Sequence, residues 1–186
     1  MAGETNRSTY IALLRGINVG GNNKLPMRDL TTIFQQAACT EVRTYIQSGN
    51  VLFQAETCLQ PGLRLRLQQA IHAHAGFDVP VVLRSAAEMR KALKDNPFVA
   101  AGADPSLLHV YFLADSAAKQ AVAALDYDRS PGDSFVVKGK EIYLHLPQGV
   151  ARTRLTNVYF DKQLGTVSTM RNWRTVETLV NLLDPV

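Results

Sequence analysis

The segment EVRTYIQSGNVLFQ, residues 41–54, places two runs of β-branched and aromatic residues on either side of a short polar turn. The turn is formed by Ser48, Gly49 and Asn50, residue types that adopt tight-turn conformations at low cost. Two β-rich runs joined by such a turn predict a β-hairpin.

The elements on both sides of this hairpin complete a recognisable order. Upstream, residues 10–14 (YIALL) form a nearly continuous apolar run, typical of a strand buried on both faces. Pro26 then opens a helix that runs to about residue 38. Downstream, apolar residues at helical spacing predict a helix that ends near Gly76. Residues 79–84 follow as a strand, and Pro80 points to an edge position. The order β-α-β-β-α-β predicts a ferredoxin-like plait.

The second half of the chain repeats this order without repeating the sequence. Ser85 and Glu88 form a capping box that starts a linking helix, which the Asn96–Pro97 pair ends. The elements predicted after the linker are a strand at 107–113, a helix at 116–125, hairpin strands at 135–137 and 141–146, a helix at 153–164, a strand at 166–169 and a helix at 172–183. We therefore predict an α+β fold of two ferredoxin-like (βαββαβ) α/β-plait subdomains. They cover residues 1–84 and 106–186, with a linking helix and loop at 85–105 and a C-terminal helix.

Composition restricts the class of protein. Hydrophobic residues make up 46% of the chain and charged residues 19%, as expected for an ordinary globular protein. The polar N-terminus lacks a signal-peptide pattern, and no apolar run is long enough to cross a membrane. Cys39 and Cys58 have no metal-ligand spacing and suit a reducing compartment. The formal charge is +4, yet residues 98–137 carry two basic against five acidic residues, so positive charge concentrates toward both ends. We predict a cytoplasmic protein with no membrane association.

The segment RGINVGGNNKLPM, residues 15–27, is the main candidate for a binding site. It joins a predicted strand to a predicted helix, and its glycines allow backbone N–H groups to approach an anion. It matches neither the dinucleotide fingerprint nor the P-loop pattern. In a plait, the turn at Ser48 lies at the same end of the sheet. The predicted ligand-binding residues of these two segments are Arg15, Gly16, Asn18, Gly20, Gly21, Lys24, Gln47, Ser48 and Asn50. The competing interpretation is that Asn and Gly only serve turn conformations.

A second candidate set lies near the C-terminus. It contains Arg154, Thr156, Asn157, Arg171 and Asn172, whose simpler roles are helix capping and solvation. If the two plaits pack in opposed orientation, this set faces the first across a cleft between the subdomains. We state this composite site as a hypothesis.

Three motifs in this sequence resemble those of a bacterial family called Domain of Unknown Function 1697. They are RGINVGG-NNKLPM, RTYIQSGNVLF and TRLTNVYFDKQLGTVSTMRNWRTVETL, in that order. Met170 departs from the pattern at one position. The resemblance extends from about Tyr10 to the C-terminus and implies two ferredoxin-like subdomains. It implies no established activity, substrate or catalytic residue.

Several kinds of site are disfavoured by the sequence. The four histidines, His72, His74, His109 and His145, do not converge, so we predict no metal site and no cofactor. Ser48 lacks an evident base, which argues against a nucleophilic serine. Tyr10 and Phe53 are the only aromatic residues on the strands that stack RNA bases in related plaits, and the RNA-recognition signature is absent.

Two functions remain. The first is binding of a small anionic or nucleotide-like ligand at the glycine- and asparagine-rich edge. The alternative is a non-enzymatic module that binds nucleic acid or protein. The sequence assigns no reaction and no oligomeric state.

Overall fold

A computed structural model gives the structure of residues 7–57 and 60–184. By their contacts these residues divide into two units, the first ending at Met89 and the second comprising Arg90–Asp184. The elements up to the division are β1 (Arg7–Leu14), α1 (Met27–Gln36), β2 (Thr40–Tyr45), β3 (Asn50–Glu56), α2 (Gln60–Ala75), β4 (Val81–Ser85) and α3 (Ala86–Lys94), within which the division falls.

The first unit contains a four-stranded sheet in the order β2-β3-β1-β4, in which all neighbours are antiparallel. The predicted hairpin is formed by β2 and β3, and β4 is an edge strand, as Pro80 indicated. Tyr10 and Phe53 face the helices, and Phe34 of α1 packs on Phe53 with ring centroids 5.2 Å apart. The intervening residue Ile11 is also fully buried. Strand β1 is therefore buried on both faces, which explains its continuous apolar sequence.

The second unit has the same arrangement. After a short helix α4 (Pro97–Ala100) and a 3-10 turn (Pro105–Leu107), its elements are β5 (Leu108–Leu113), α5 (Lys119–Ala123), β6 (Ser134–Lys138), β7 (Glu141–His145), α6 (Asn157–Leu164), β8 (Ser168–Asn172) and α7 (Trp173–Asn181). The sheet order is β6-β7-β5-β8, again antiparallel throughout. Tyr111 and Phe160 lie in its core, with ring centroids 5.3 Å apart.

Matching hydrogen bonds occur where the first strand of each unit ends. In the first unit, Leu14 N donates to Gly49 O at 2.8 Å, and in the second, Leu113 N donates to Lys140 O at 2.8 Å. The predicted α+β class is thus confirmed as two four-stranded antiparallel sheets with helices.

Each fourth strand continues directly into a helix. Ser85 ends β4 and accepts a hydrogen bond from Glu88 N at 3.2 Å, while the Glu88 carboxylate accepts from Ser85 N at 2.8 Å. This is the predicted capping box. Asn172 ends β8 and caps α7 by accepting from Thr175 N at 2.8 Å. One residue therefore serves as strand end and helix cap in both units.

Four predicted elements in the second half, α5, α6, β8 and α7, have other bounds in the structure. Helix α6 starts at Asn157 and not at 153, because Thr156 is its cap and Leu155 N instead donates to Thr153 Oγ1 at 3.1 Å. Helix α5 has only five residues. Strand β8 extends to Asn172, which shifts α7 to a start at Trp173. The Asn96–Pro97 pair ends α3 as predicted, and it also begins the unpredicted short helix α4, because Asn96 Oδ1 accepts from Phe98 N.

No helix among residues 7–57 and 60–184 has the length and apolar character needed to cross a membrane.

Candidate functional site

The connection between β1 and α1, residues 15–26, folds into a small hairpin of its own. We call it the asparagine–glycine loop. Asn18 N donates to Asn23 O at 3.1 Å, and Asn22 N donates to Val19 O at 3.0 Å. The two residues at the tip, Gly20 and Gly21, have φ of +58° and +81°. Positive φ at both central residues is what a tight two-residue hairpin turn requires. The glycine pair therefore forms the turn.

The side chain of Asn18 joins this loop to the turn between β2 and β3. Its carboxamide nitrogen donates to Leu25 O at 2.9 Å and to Gln47 O at 3.0 Å, and its oxygen accepts from Leu25 N at 2.9 Å. Asn23 adds a hydrogen bond to Gly16 O at 3.0 Å. The predicted meeting of the two segments at one end of the sheet is confirmed by these contacts. In these contacts the side-chain carboxamides of Asn18 and Asn23 are bonded within the protein.

The β2–β3 turn, residues 46–49, is packed closely against β1. Asn50 is fully buried, and its side chain donates to Tyr45 O at 3.1 Å and to Ser48 Oγ at 3.3 Å. Ile46 has φ of +50° and is 49% exposed. A β-branched residue with this φ is strained, and nothing in the local sequence indicates it.

Hydrogen-bond donors remain available at the loop. The backbone N–H groups of Gly20, Gly21, Asn23 and Lys24 donate no hydrogen bond to any residue within 7–57 and 60–184. Lys24 is exposed and Arg15 is half-buried, so two cationic side chains flank these amides in the chain. Amide donors and positive charge together are what an anion site needs.

The second predicted set lies in the second unit, mostly at one end of its sheet. His109, near the start of β5, pairs with Asn172, and Leu108 pairs with His145, after which the loop to α6 begins. In that loop, Arg154 N donates to Ser130 Oγ at 3.0 Å and Arg154 O accepts from Arg129 Nε at 3.0 Å. Thr156 and Asn172 act as helix caps, and Asn157 is the first residue of α6. That these residues bind a ligand remains a prediction.

Arg171 is buried, with only 8% of its surface exposed. Its Nη1 donates to Thr169 Oγ1 at 2.9 Å and to Met170 O at 2.7 Å. Burial lowers the pKa of Arg171 to about 10, so the guanidinium still carries its charge at neutral pH. Arg84 holds the corresponding position in β4, is 1% exposed, and donates to Leu83 O at 2.9 Å.

The histidines and cysteines are the remaining candidates, as metal ligands and as a nucleophilic thiol. Among the described residues, no three His, Cys, Asp or Glu side chains form a metal-ligand group. Cys39 is buried, and its burial raises the pKa of the thiol to about 11, which makes it unreactive at neutral pH. Cys58 lies outside the described residues.

One concave surface was missed by sequence reasoning. A groove of about 400 Å³ lies against α2 and is lined by Leu65, Gln68, Gln69, His72 and Asp78. His72 Nδ1 lies 2.9 Å from Asp78 Oδ1. The lining residues on α2 lie three or four positions apart, so they share one face of the helix. This spacing was the sequence signal that could have revealed the groove. The groove shares no residue with the asparagine–glycine loop.

Comparisons with known proteins identify relatives by fold and family. The family model described as "Protein of unknown function (DUF1697)" matches residues 7–143. The structure of the conserved bacterial protein SP0830 from Streptococcus pneumoniae superposes with a TM-score of 0.75 at 24% sequence identity, covering 96% of this chain and 100% of that one. At that identity the similarity shows the fold alone. No curated protein matches the chain.

Proposed function

Because the chain belongs to the family of proteins of unknown function DUF1697, its activity must be inferred from its own residues, and we propose that the asparagine–glycine loop binds a small anionic or nucleotide-like ligand. The observation that carries this proposal is the group of backbone N–H donors at Gly20, Gly21, Asn23 and Lys24, which bond to no residue in the described part of the chain. Such donors bind phosphate and carboxylate oxygens in many proteins without the help of a carboxamide side chain.

The charge around the loop supports an anionic ligand. Lys24 carries the last of these amides, and Arg15 directly follows β1. Lys24 forms no ion pair with a carboxylate among residues 7–57 and 60–184. Each cation adds attraction for an anion near the hairpin tip. The Ser48 hydroxyl, on the neighbouring turn, is a further donor that suits a phosphate or a ribose oxygen.

The predicted asparagines take a different role in this proposal. Asn18 and Asn50 use their carboxamides within the protein, so they position the loop and the turn and do not contact the ligand. A loop held in one conformation before binding loses less entropy when the ligand arrives. The side-chain contacts are then left to Arg15, Lys24 and Ser48.

We assign each unit to the ferredoxin-like α/β plait, and the sheet orders β2-β3-β1-β4 and β6-β7-β5-β8 support that assignment. We also place the protein in the cytoplasm, in agreement with the free thiol of Cys39.

Ligand-induced stabilisation tests the site. Inorganic phosphate, sulfate and nucleoside mono-, di- and triphosphates are screened by thermal shift, because a ligand that binds only the folded state raises the melting temperature. We expect at least one of them to stabilise the protein. Lys24→Ala and Arg15→Ala should each reduce the ligand-induced shift, measured relative to that variant's own melting temperature.

Arg28→Ala is the matched control, since it removes a cation from an exposed position at the start of α1, where its side chain is 95% exposed. It should respond to every hit as the parent does. Equal responses from all three variants would place the anion elsewhere. Arg154→Ala and Asn157→Ala, tested in the same way, decide whether the second set takes part.

One observation supports the alternative function, a non-enzymatic module that binds nucleic acid or protein. Val19 and Ile46 are 61% and 49% exposed, and both belong to the two segments joined by Asn18. Exposed apolar side chains on two hydrogen-bonded segments favour a protein partner over nucleic acid. A screen without any anionic hit would favour this interpretation.

A further inference from the structure

Within residues 7–57 and 60–184, strand β6 pairs with β7 alone, so its other side is not covered by a strand. Leu113 N bonds to Lys140 O, and Leu146 N bonds to Leu107 O, so the even-numbered residues of β7 direct their backbone groups toward β5. Because backbone groups alternate along a strand, the odd-numbered residues of β7 bond to β6. Their partners there are Ser134, Val136 and Lys138. The N–H and C=O groups of Phe135 and Val137 consequently point away from the sheet.

These four outward groups form no hydrogen bond with any residue in the part of the chain that the structure describes. The outer strand of the first unit, β2, differs in a way that discourages pairing. Its register with β3 is interrupted between Thr40 and Arg43, and Glu41 between them has φ of +49°. Irregularity and charge are common protections of an edge strand.

Strand β6 has no irregularity, and its charge is confined to its last residue. Its register with β7 is unbroken from Ser134 to Lys138. Its only charged residue is Lys138, whose Nζ donates to Asp95 O at 2.9 Å. Val136 and Val137 are half-buried at this open edge. An apolar, regular and unpaired edge is a template for another strand.

We propose that β6 pairs with β6 of a second copy of this chain, antiparallel and centred on Val136. In this register Phe135 of each copy lies opposite Val137 of the other, and all four outward backbone groups are satisfied. Val136 lies opposite itself in a pair without hydrogen bonds, where side chains are closest. Lys138 lies opposite Ser134, so no like charges meet.

Neighbouring registers are less favourable. Centring on Phe135 would require Asp133 N, which already donates to Ser130 O at 3.0 Å. Centring on Val137 would require Gly139, which has φ of +62° in the hairpin turn. In the register centred on Val136, a second copy therefore satisfies all four outward backbone groups of this edge. An interface of one short strand pair is small, so the dimer should be a weak one.

Sedimentation equilibrium of the full chain, up to about 1 mM, tests the proposal. The parent should show a concentration-dependent monomer–dimer equilibrium. Val136→Lys and Val136→Glu should each raise the dimer dissociation constant at least about tenfold, because like charges then lie opposite each other. An equimolar mixture of the two variants should recover association close to that of the parent, which happens only if residue 136 pairs with residue 136.

Thr44→Lys, on β2, is the matched control and should leave the dissociation constant unchanged. Amide hydrogen exchange provides a test without a variant. Exchange at Phe135 and Val137 should slow as protein concentration rises, while exchange at Val136, already bonded to β7, should not. A parent that stays monomeric, charged variants that dimerise like the parent, or a mixture that fails to recover association would each overturn the proposal.

Discussion

At the scale of single residues, Gly49 has the least room for a side chain among the described glycines of the first unit. A Cβ atom there would lie 2.7 Å from Leu14 Cβ and 3.0 Å from Ile17 Cδ1, and the backbone has φ of +80°. Both neighbours are fully buried, so neither can move away cheaply. Glycine is therefore required at this position both for the positive φ and for the lack of room for a Cβ atom.

Gly49→Ala should therefore lower the free energy of unfolding by about 3 kcal/mol, the sum of a left-handed backbone penalty and an overpacking penalty. Gly16→Ala is the matched control, because its φ is +73° but a Cβ would meet nothing within 4 Å. It should cost only about 1 kcal/mol. Urea denaturation of both variants measures the difference, and equal losses would mean that the contact with Leu14 has no energetic weight.

At the scale of elements, Asn18 connects the asparagine–glycine loop to the β2–β3 turn. Asn18→Ala removes three hydrogen bonds and leaves the amide of buried Leu25 without its acceptor. We expect a loss of about 1–3 kcal/mol in the free energy of unfolding and faster amide exchange at Leu25.

The asparagine at position 22 is the control: it is exposed and its side chain forms no hydrogen bond with the described residues. Asn22→Ala should change stability by less than about 0.5 kcal/mol. Similar losses from both variants would show that the bridge is not a stabilising contact.

Sequence reasoning succeeded for elements whose signals are local. The hairpin at residues 41–54 and the capping box at Ser85 depend on a few adjacent residues, and both were found. The start of α6 was misjudged because Thr153 and Thr156 are equally good caps. The choice depends on contacts of the adjoining chain, such as the hydrogen bond from Arg154 N to distant Ser130. The left-handed conformation of Ile46 contradicts its own propensity, so no sequence rule could have suggested it.

At the scale of the whole molecule, the formal charge of +4 bears on the alternative function. If the protein binds nucleic acid, the contacts should be mainly with phosphates, and affinity should fall steeply with salt. Fluorescence titration with single- and double-stranded oligonucleotides at low and physiological salt measures this. We expect any binding seen at low salt to be largely lost at physiological salt. No binding at low salt would remove nucleic acid from consideration, and binding insensitive to salt would contradict the phosphate-directed mode.

The junctions at Ser85 and Asn172 limit how the gene for this chain can change in length. Each residue is both the end of a strand and the cap of the following helix, so no linker residue separates the two elements. One inserted codon in such a strand would reverse which face its side chains occupy, and one inserted at the helix start would rotate the apolar stripe by about 100°. Residues 15–26, in contrast, can lengthen at the glycine tip without shifting either flanking element. We therefore expect an inserted residue to be tolerated at the exposed hairpin and to be destabilising at the two strand–helix junctions.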